Sequence, residues 1–336
     1  MRTDAVNGRE QDMINETNSC IFGPVPSRRL GRSLGINNIP AKHCSYSCVY
    51  CQVGRTTQSL TVRRPFYPPE QIVQTVADRL KRLRQQGEPV DYLTFVPDGE
   101  PTLDVHLGQI IQRLRPLGVP VAVITNSSLL AQEAVRRELV LADWVSVKID
   151  SVDEAVWRRI DRPHPALCLK EILDGIRVFA QDFTGVLVTE TMLVRGINDT
   201  EPAMRAVAGF LAEIEPRCAY LGIPVRPPLE SWASGPDEAV FNQMYQLLVE
   251  RVDPVECLIG YEGSDFSSTG DVAEDLLRIT AVHPMRSEAV RLLLERTDSS
   301  WQIIDQLVEQ GKLTTTEYQG RTFYLRRFDP SRPITA

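Results

Sequence analysis

No apolar run in the 336 residues approaches the roughly 18–20 that a membrane-spanning helix needs, so a helical membrane protein is excluded. The first 19 residues, Met1 to Ser19, lack the apolar core of a signal peptide. They read as a flexible tail, and a cytoplasmic location is expected. An excess of basic residues is also missing. With 37 Lys and Arg against 44 Asp and Glu, the net charge of −7 disfavours a broad nucleic-acid coat, although a local basic patch stays open. There is no internal repeat, and the seven cysteines show no ladder of pairs. Cys20, Cys168, Cys218 and Cys257 stand alone, whereas Cys44, Cys48 and Cys51 crowd into eight residues. A disulfide framework belongs to short secreted chains, so three clustered thiols point to a metal.

The length allows one large α/β domain with a small appendage. Past an irregular stretch rich in Gly, Pro, Ser and Arg (Phe22 to Gly35), Pro69 and Glu70 open a helix with Ile72, Val73, Val76, Leu80 and Leu83 at helical spacing. Short apolar runs follow at Tyr92–Val96, Val119–Thr125, Trp144–Ile149, Val186–Val194 and Tyr220–Pro224. Helical segments trail them near Gly108–Leu114, Gln132–Leu139, Leu169–Ala180, Ala203–Ile214 and Glu238–Glu250. With an early strand near Ser33–Asn38 this makes about six βα units, hence a parallel sheet with crossover helices. Six units fall short of a closed eight-stranded barrel and predict a partial (β/α)6 barrel or an open sheet. After Pro284 the pattern changes. Ser287–Glu295 and Ser300–Gln310 read as helices, Gly311 as a left-handed cap, and Lys312–Glu317 with Arg321–Arg326 as a hairpin across Gln319-Gly320. The expected division is a tail over 1–19, a main domain over 20–284 and a small winged-helix-like α+β domain over 285–330, with His283 a linker residue.

His43 to Cys51 reads HCSYSCVYC, a CxxxCxxC arrangement in which one compact loop turns three thiolates to a common centre. A [4Fe–4S] cubane normally takes four thiolates; three leave one iron with an open position for a small molecule. The alternative is zinc, with His43 or Cys20 as fourth ligand, although a zinc site usually shows a second CxxC pair. Asp98-Gly99-Glu100-Pro101-Thr102 follows a predicted strand, the end at which α/β barrels carry active residues. Asn126, in Thr125-Asn126-Ser127, ends the next strand and equally suits a helix cap. Ser146, Lys148 and Asp150 alternate along one strand and so share a face. A buried lysine there needs an anionic partner, either a ligand or Asp150. Glu190 and Thr191 lie on the fifth strand, and Arg195 follows it.

CxxxCxxC with an aromatic before its last cysteine resembles the radical S-adenosylmethionine (radical SAM) superfamily, and the resemblance runs from Phe22 to Glu262. It implies a full or partial (β/α) barrel and a [4Fe–4S] cluster held by Cys44, Cys48 and Cys51. The open iron would bind the amino and carboxylate groups of S-adenosylmethionine, and one electron would release a 5′-deoxyadenosyl radical that abstracts hydrogen. By the same resemblance Tyr50 lies near the adenine, and the Asp98-Gly99-Glu100-Pro101 stretch stands where the family has Gly-Gly-Glu-Pro. Gly99 and Glu100 would then hold the SAM ammonium, and Asn126, Ser146, Lys148 and Glu190 would line the cofactor site. The electron would come from a flavodoxin- or ferredoxin-type reductant. Phe22 to Gly31 is similar to the branch grouped with tRNA wyosine-base synthases, but Cys20 is alone before the triad where those enzymes carry a second set of three cysteines. Arg28, Arg29, Arg32, Arg55, Arg63 and Arg64 flank the triad and suit an anionic substrate. Two further readings stay open: a tRNA-modifying enzyme, and a non-catalytic metal or iron–sulfur protein whose C-terminal hairpin, with Lys312, Arg321, Arg326 and Arg327, contacts nucleic acid.

Overall fold

The structure is a computed structural model that describes residues 20–259, 266 and 271–327. The tail expected over 1–19 and the last residues of the expected C-terminal domain lie outside them. In chain order the strands are β1 (Ile21–Ser27), β2 (Gly31–Ile36), β3 (His43–Cys44), β4 (Gln58–Ser59), β5 (Tyr92–Phe95), β6 (Val121–Thr125), β7 (Trp144–Lys148), β8 (Val186–Met192), β9 (Cys218–Gly222), β10 (Val255–Leu258), β11 (Met285–Arg286), β12 (Leu313–Tyr318) and β13 (Arg321–Arg326). Eight of them form one sheet in the order β1-β2-β5-β6-β7-β8-β9-β10. Only the β1–β2 pair is antiparallel; from β2 to β10 every neighbour is parallel.

Side-chain alternation divides this sheet into two faces. Val121, Val123, Val145, Val147, Leu187, Ala219 and Leu221 join the large core under the crossover helices. The intervening Ala122, Trp144, Val188, Cys218 and Tyr220 gather instead with Leu30, from the β1–β2 turn, in a second cluster on the inner face. The helix Pro69–Gln85 shows how the outer layer forms. Proline at its first turn and Glu70 near the N-terminus suit the start, Arg82 and Arg84 suit the last turn, and Ile72, Val76, Leu80 and Leu83 are buried.

The six predicted parallel strands are all present, but the sheet holds a seventh, β10, and the antiparallel β1 as well. Val255–Leu258 is a short, half-exposed edge strand with no apolar run to advertise it. In β1 the segment IFGPVPS carries a glycine and two prolines, which an edge strand with an irregularity between Phe22 and Val25 accommodates. Helices Glu154–Ile160 and Val272–Val282 were likewise not anticipated.

The C-terminal segment has the two expected helices, Ser287–Arg296 and Gln302–Glu309, and the expected hairpin. Gly311 sits at φ +66°, and Gln319 and Gly320 at +50° and +69° make the tight left-handed turn. β11 completes a three-stranded sheet on β13. The core of this unit reaches back to take in the helix Val272–Val282 and, from β1, Phe22 and Val25. No helix among the described residues is long and apolar enough to cross a membrane.

Candidate active site

The three clustered cysteines lie on the long connection between β2 and the helix Pro69–Gln85, and four contacts fix that connection to the C-terminal end of β5. His43 bridges Gly99, and the Glu100 N–H donates to the His43 carbonyl at 3.0 Å. A Cβ at Gly99, where φ is +156°, would stand 2.0 Å from the same carbonyl oxygen, so only glycine allows this approach. The Lys42 N–H donates to the Asp98 carbonyl at 2.7 Å, and the Lys42 ammonium pairs with the Asp98 carboxylate at 2.7 Å. The same ammonium donates to the Val53 carbonyl, two residues past Cys51. Asp98, at the first glycine of the family pattern, therefore ties the two ends of the cysteine loop to the sheet.

The thiols meet the strand ends directly. Asn126 Nδ2 stands 3.4 Å from Cys44 Sγ and donates to Ser45 Oγ at 2.9 Å. Cys48 Sγ donates to Asp161 Oδ1 at 3.2 Å, and the Tyr50 hydroxyl donates to both Asp150 and Asp161. Burial raises the pKa of both carboxyls; Lys148 opposes the rise at each, and Asp150 adds to it at Asp161. Burial pushes the Cys44 thiol up to about 12, with the charges of Glu100 and Cys51 adding to it. Cys48 is raised by burial and by Asp161, and Cys51 mainly by burial. Thiolates form at such a place only beside compensating positive charge, which a bound metal would supply.

Three thiols carried on one short loop suit thiolate ligation of an iron–sulfur cluster. A cubane takes each thiolate on a different iron, so its donors stand farther apart than those of one zinc ion. His43 engages Ala41 O through Nδ1 at 3.0 Å and packs edge-on against Phe66, while Cys20 is fully buried in the core.

Glu100 is placed differently from the expectation of a ligand-facing acid. Its carboxylate is fully buried and saturated. Oε1 accepts from Thr102 N (3.0 Å), Thr102 Oγ1 (2.6 Å) and Thr125 Oγ1 (2.7 Å), and Oε2 from Asn126 N (2.7 Å). It locks the ends of β5 and β6 together and turns Asn126 to the thiols. Ser127, at φ +70°, holds a left-handed conformation where the family has glycine, and its Oγ accepts the Lys148 N–H at 2.8 Å. Ser146 is buried two residues before Lys148 on the same face.

Lys148 and Glu190 are cross-strand partners on β7 and β8, with Nζ to Oε1 at 2.8 Å. Arg29, reaching in from the β1–β2 turn, pairs with the other Glu190 oxygen and lies 5.8 Å over the Tyr220 ring. Burial opposes ionisation of Glu190, but Lys148 and Arg29 outweigh it and bring its pKa down to about 2. Burial likewise works against the Lys148 ammonium, and Glu190 and Asp150 outweigh it and hold that pKa above its ordinary value. The ammonium also stands 4.8 Å over the Tyr50 ring, so one face of Tyr50 is covered.

Several arginines read as anion receptors prove to be internal ties. Arg32 pairs with Glu88, Arg63 with Glu138 and the Thr102 and Asp104 carbonyls, and Arg28 reaches the Cys257 carbonyl. Arg55 keeps 70% of its side chain exposed, beside Glu230 at 3.6 Å. Lys42 and Asp161 escaped the sequence reading because each meets its partner only through the fold, Asp161 lying 113 residues from Cys48.

The sequence model of the Radical SAM superfamily matches residues 38–206. A UPF0026 protein of Methanocaldococcus jannaschii is 47% identical over 307 residues, covering 91% of this chain and 95% of its own. A probable GTP 3′,8-cyclase of Pyrococcus horikoshii is 29% identical over 164 residues, 48% of this chain and 47% of its own. Among solved structures, Streptococcus suis SuiB bound to the precursor peptide SuiA aligns with a TM-score of 0.50 at 10% identity, over 66% of this chain and 48% of that one, a likeness of fold alone.

Proposed function

The chain belongs to the radical SAM superfamily, and from that premise we propose that Cys44, Cys48 and Cys51 ligate one [4Fe–4S] cluster beside S-adenosylmethionine. When bound, such a cluster supplies one electron that breaks the C5′–S bond of S-adenosylmethionine, leaving methionine and a 5′-deoxyadenosyl radical that takes a hydrogen atom from the substrate. The chain's own residues bind, orient and enclose. Glu100 holds Asn126 against Cys44, and the half-buried Gly99 at the end of β5 receives the SAM ammonium. The Lys148–Glu190 pair, with Ser146 beneath it, lines the cofactor site from β7 and β8, and Tyr50 walls it beside Asp150. Burial on the inner face of the sheet keeps water from the reacting atoms.

The observation that carries this reading is the meeting of strand end and thiol, with Asn126 Nδ2 at 3.4 Å from Cys44 Sγ. An anionic, nucleotide-type substrate is supported by the name of the Pyrococcus relative and by exposed Arg55 and Arg195 on the loops beside the site. A flavodoxin- or ferredoxin-type protein in the cytoplasm is the proposed electron donor. We read Ser287–Arg326 as a winged-helix-like unit, on its two helices and closing hairpin.

The test is anaerobic reconstitution with iron and sulfide, addition of dithionite and S-adenosylmethionine, and identification of the nucleoside by mass. The expected product is 5′-deoxyadenosine, abolished together with the brown colour when all three cysteines become alanine. Methylthioadenosine would move the broken bond, and a protein that takes up zinc alone would refute the reading.

A further inference from the structure

The residue after Cys51 is held from outside the matched family domain. Gln52 receives a hydrogen bond on Oε1 from Arg226 Nη1 at 2.8 Å, and its Nε2 donates to the Val282 carbonyl at 3.2 Å. Arg226 Nη2 reaches His283 Nε2 at 3.1 Å. A guanidinium is always a donor, so that nitrogen accepts and His283 is neutral. Burial and the adjacent Arg226 charge both push the His283 pKa down. Arg226 and His283 are 9% and 6% exposed, so the bond between them forms away from bulk water, where it sets geometry most firmly, and the two bonds to Gln52 are partly buried. Nearby, the Tyr318 hydroxyl of β12 donates to the Pro224 carbonyl at 3.0 Å, fastening the C-terminal hairpin to the loop that carries Arg226. On its other side the loop is fixed by Lys42, which bonds the Val53 carbonyl. The two residues that follow the last cysteine are therefore fixed separately, one through Lys42 to the end of β5 and the other by Arg226 and the end of the helix Val272–Val282.

We propose that Gln52 is a positioning residue for Cys51, and that Arg226, on the loop after β9, with the Val282 carbonyl and His283 at the end of the helix Val272–Val282, is a working part of the cluster site. The proposal rests on the reading of Cys51 as a cluster ligand only for its consequence; the positioning itself belongs to the protein without metal. Two hydrogen bonds hold the Gln52 side chain and a third, from Arg226 to His283, fixes the donor of one of them. Residues around first ligands govern metal retention as strongly as this in other sites.

The experiment uses the full chain in two states. Metal-free protein is alkylated with iodoacetamide and the rates of Cys51, Cys44 and Cys168 are read by peptide mass spectrometry, exposed Cys168 serving as reference. His283→Leu removes the acceptor, His283→Gln restores one, and Gln52→Leu removes the hold without touching the C-terminal core. The Cys51-to-Cys168 ratio should rise about tenfold in His283→Leu and Gln52→Leu, the order that loss of a hydrogen bond to a charged group carries into a local opening. His283→Gln should stay at the parent ratio, and Cys44, anchored through β3 and β4, should keep its own. In reconstituted protein the two leucine variants should lose iron to a chelator about tenfold faster. Parent-like Cys51 labelling in both leucine variants overturns the proposal. A parent that takes up no cluster, yet shows the labelling pattern, refutes the cluster reading and leaves the positioning standing.

Discussion

Gly99→Ala isolates the contact that joins the cysteine loop to the sheet. The added Cβ would lie 2.0 Å from the His43 carbonyl oxygen, 2.9 Å from its carbon and 2.9 Å from Ile39 Cδ1, so the loop must withdraw by more than an ångström. At φ +156° the alanine also bears a conformational strain of about 1–3 kcal/mol. Overpacking against a backbone adds about 1–3 kcal/mol, and the sum is about 2–6 kcal/mol. Gly87→Ala is the control: its φ is +72° but nothing lies within 4 Å of a Cβ there, so the backbone cost of about 1 kcal/mol stands alone. At roughly 2 °C per kcal/mol for a chain of this size, thermal unfolding should fall by about 4–12 °C in Gly99→Ala and by about 2 °C in Gly87→Ala. The alternative to unfolding is release of the loop, and iron and sulfide content after reconstitution distinguishes it: Gly99→Ala should lose most of both, Gly87→Ala neither. Equal melting shifts in the two variants, with full iron in each, would refute the argument.

Lys42→Met strands the buried Asp98 carboxylate and should destabilise by about 3–5 kcal/mol in urea, whereas Lys42→Met with Asp98→Asn should recover most of that loss; additive losses would show that the pair is not coupled. Glu190, with its pKa depressed from 4.5 to about 2, contributes stability that is fully present above pH 4.5 and disappears as pH falls toward 2. Stability of the parent relative to Glu190→Gln should therefore shrink by about 3 kcal/mol across that window, and a pH-independent difference would count against the Arg29–Glu190–Lys148 network. Ser127→Gly relieves the φ of +70° but loses the bond to Lys148 N, so the two effects of about 1 kcal/mol each should nearly cancel; Ser127→Ala keeps the strain, loses the bond and should cost about 1–2 kcal/mol by chemical denaturation.

Local pattern was enough for what depends on local chemistry. Three thiols within eight residues marked one loop as the candidate metal site, because spacing of side chains is a property of a short segment. Apolar runs alternating with helical periodicity specified parallel strands, and Gly311 and Gln319-Gly320 specified a cap and a turn, because φ preference belongs to single residues. Tertiary structure decided everything that needs two distant segments. β1 and β10 are edge strands, whose prolines, glycine and half-exposed residues carry no burial signal and whose existence rests on a neighbour's hydrogen bonds. The sequence marked Glu100 as a functional acid, but its four donors come from two strand ends, and only the fold shows that its carboxylate is already satisfied. Arg29 read as a loop cation until the β1–β2 turn brought it 161 residues away to Glu190, and His283 read as a linker until Arg226 met it in the interior. Buried charges and buried polar groups must find partners, and which partner each one finds is fixed by packing rather than by proximity along the chain.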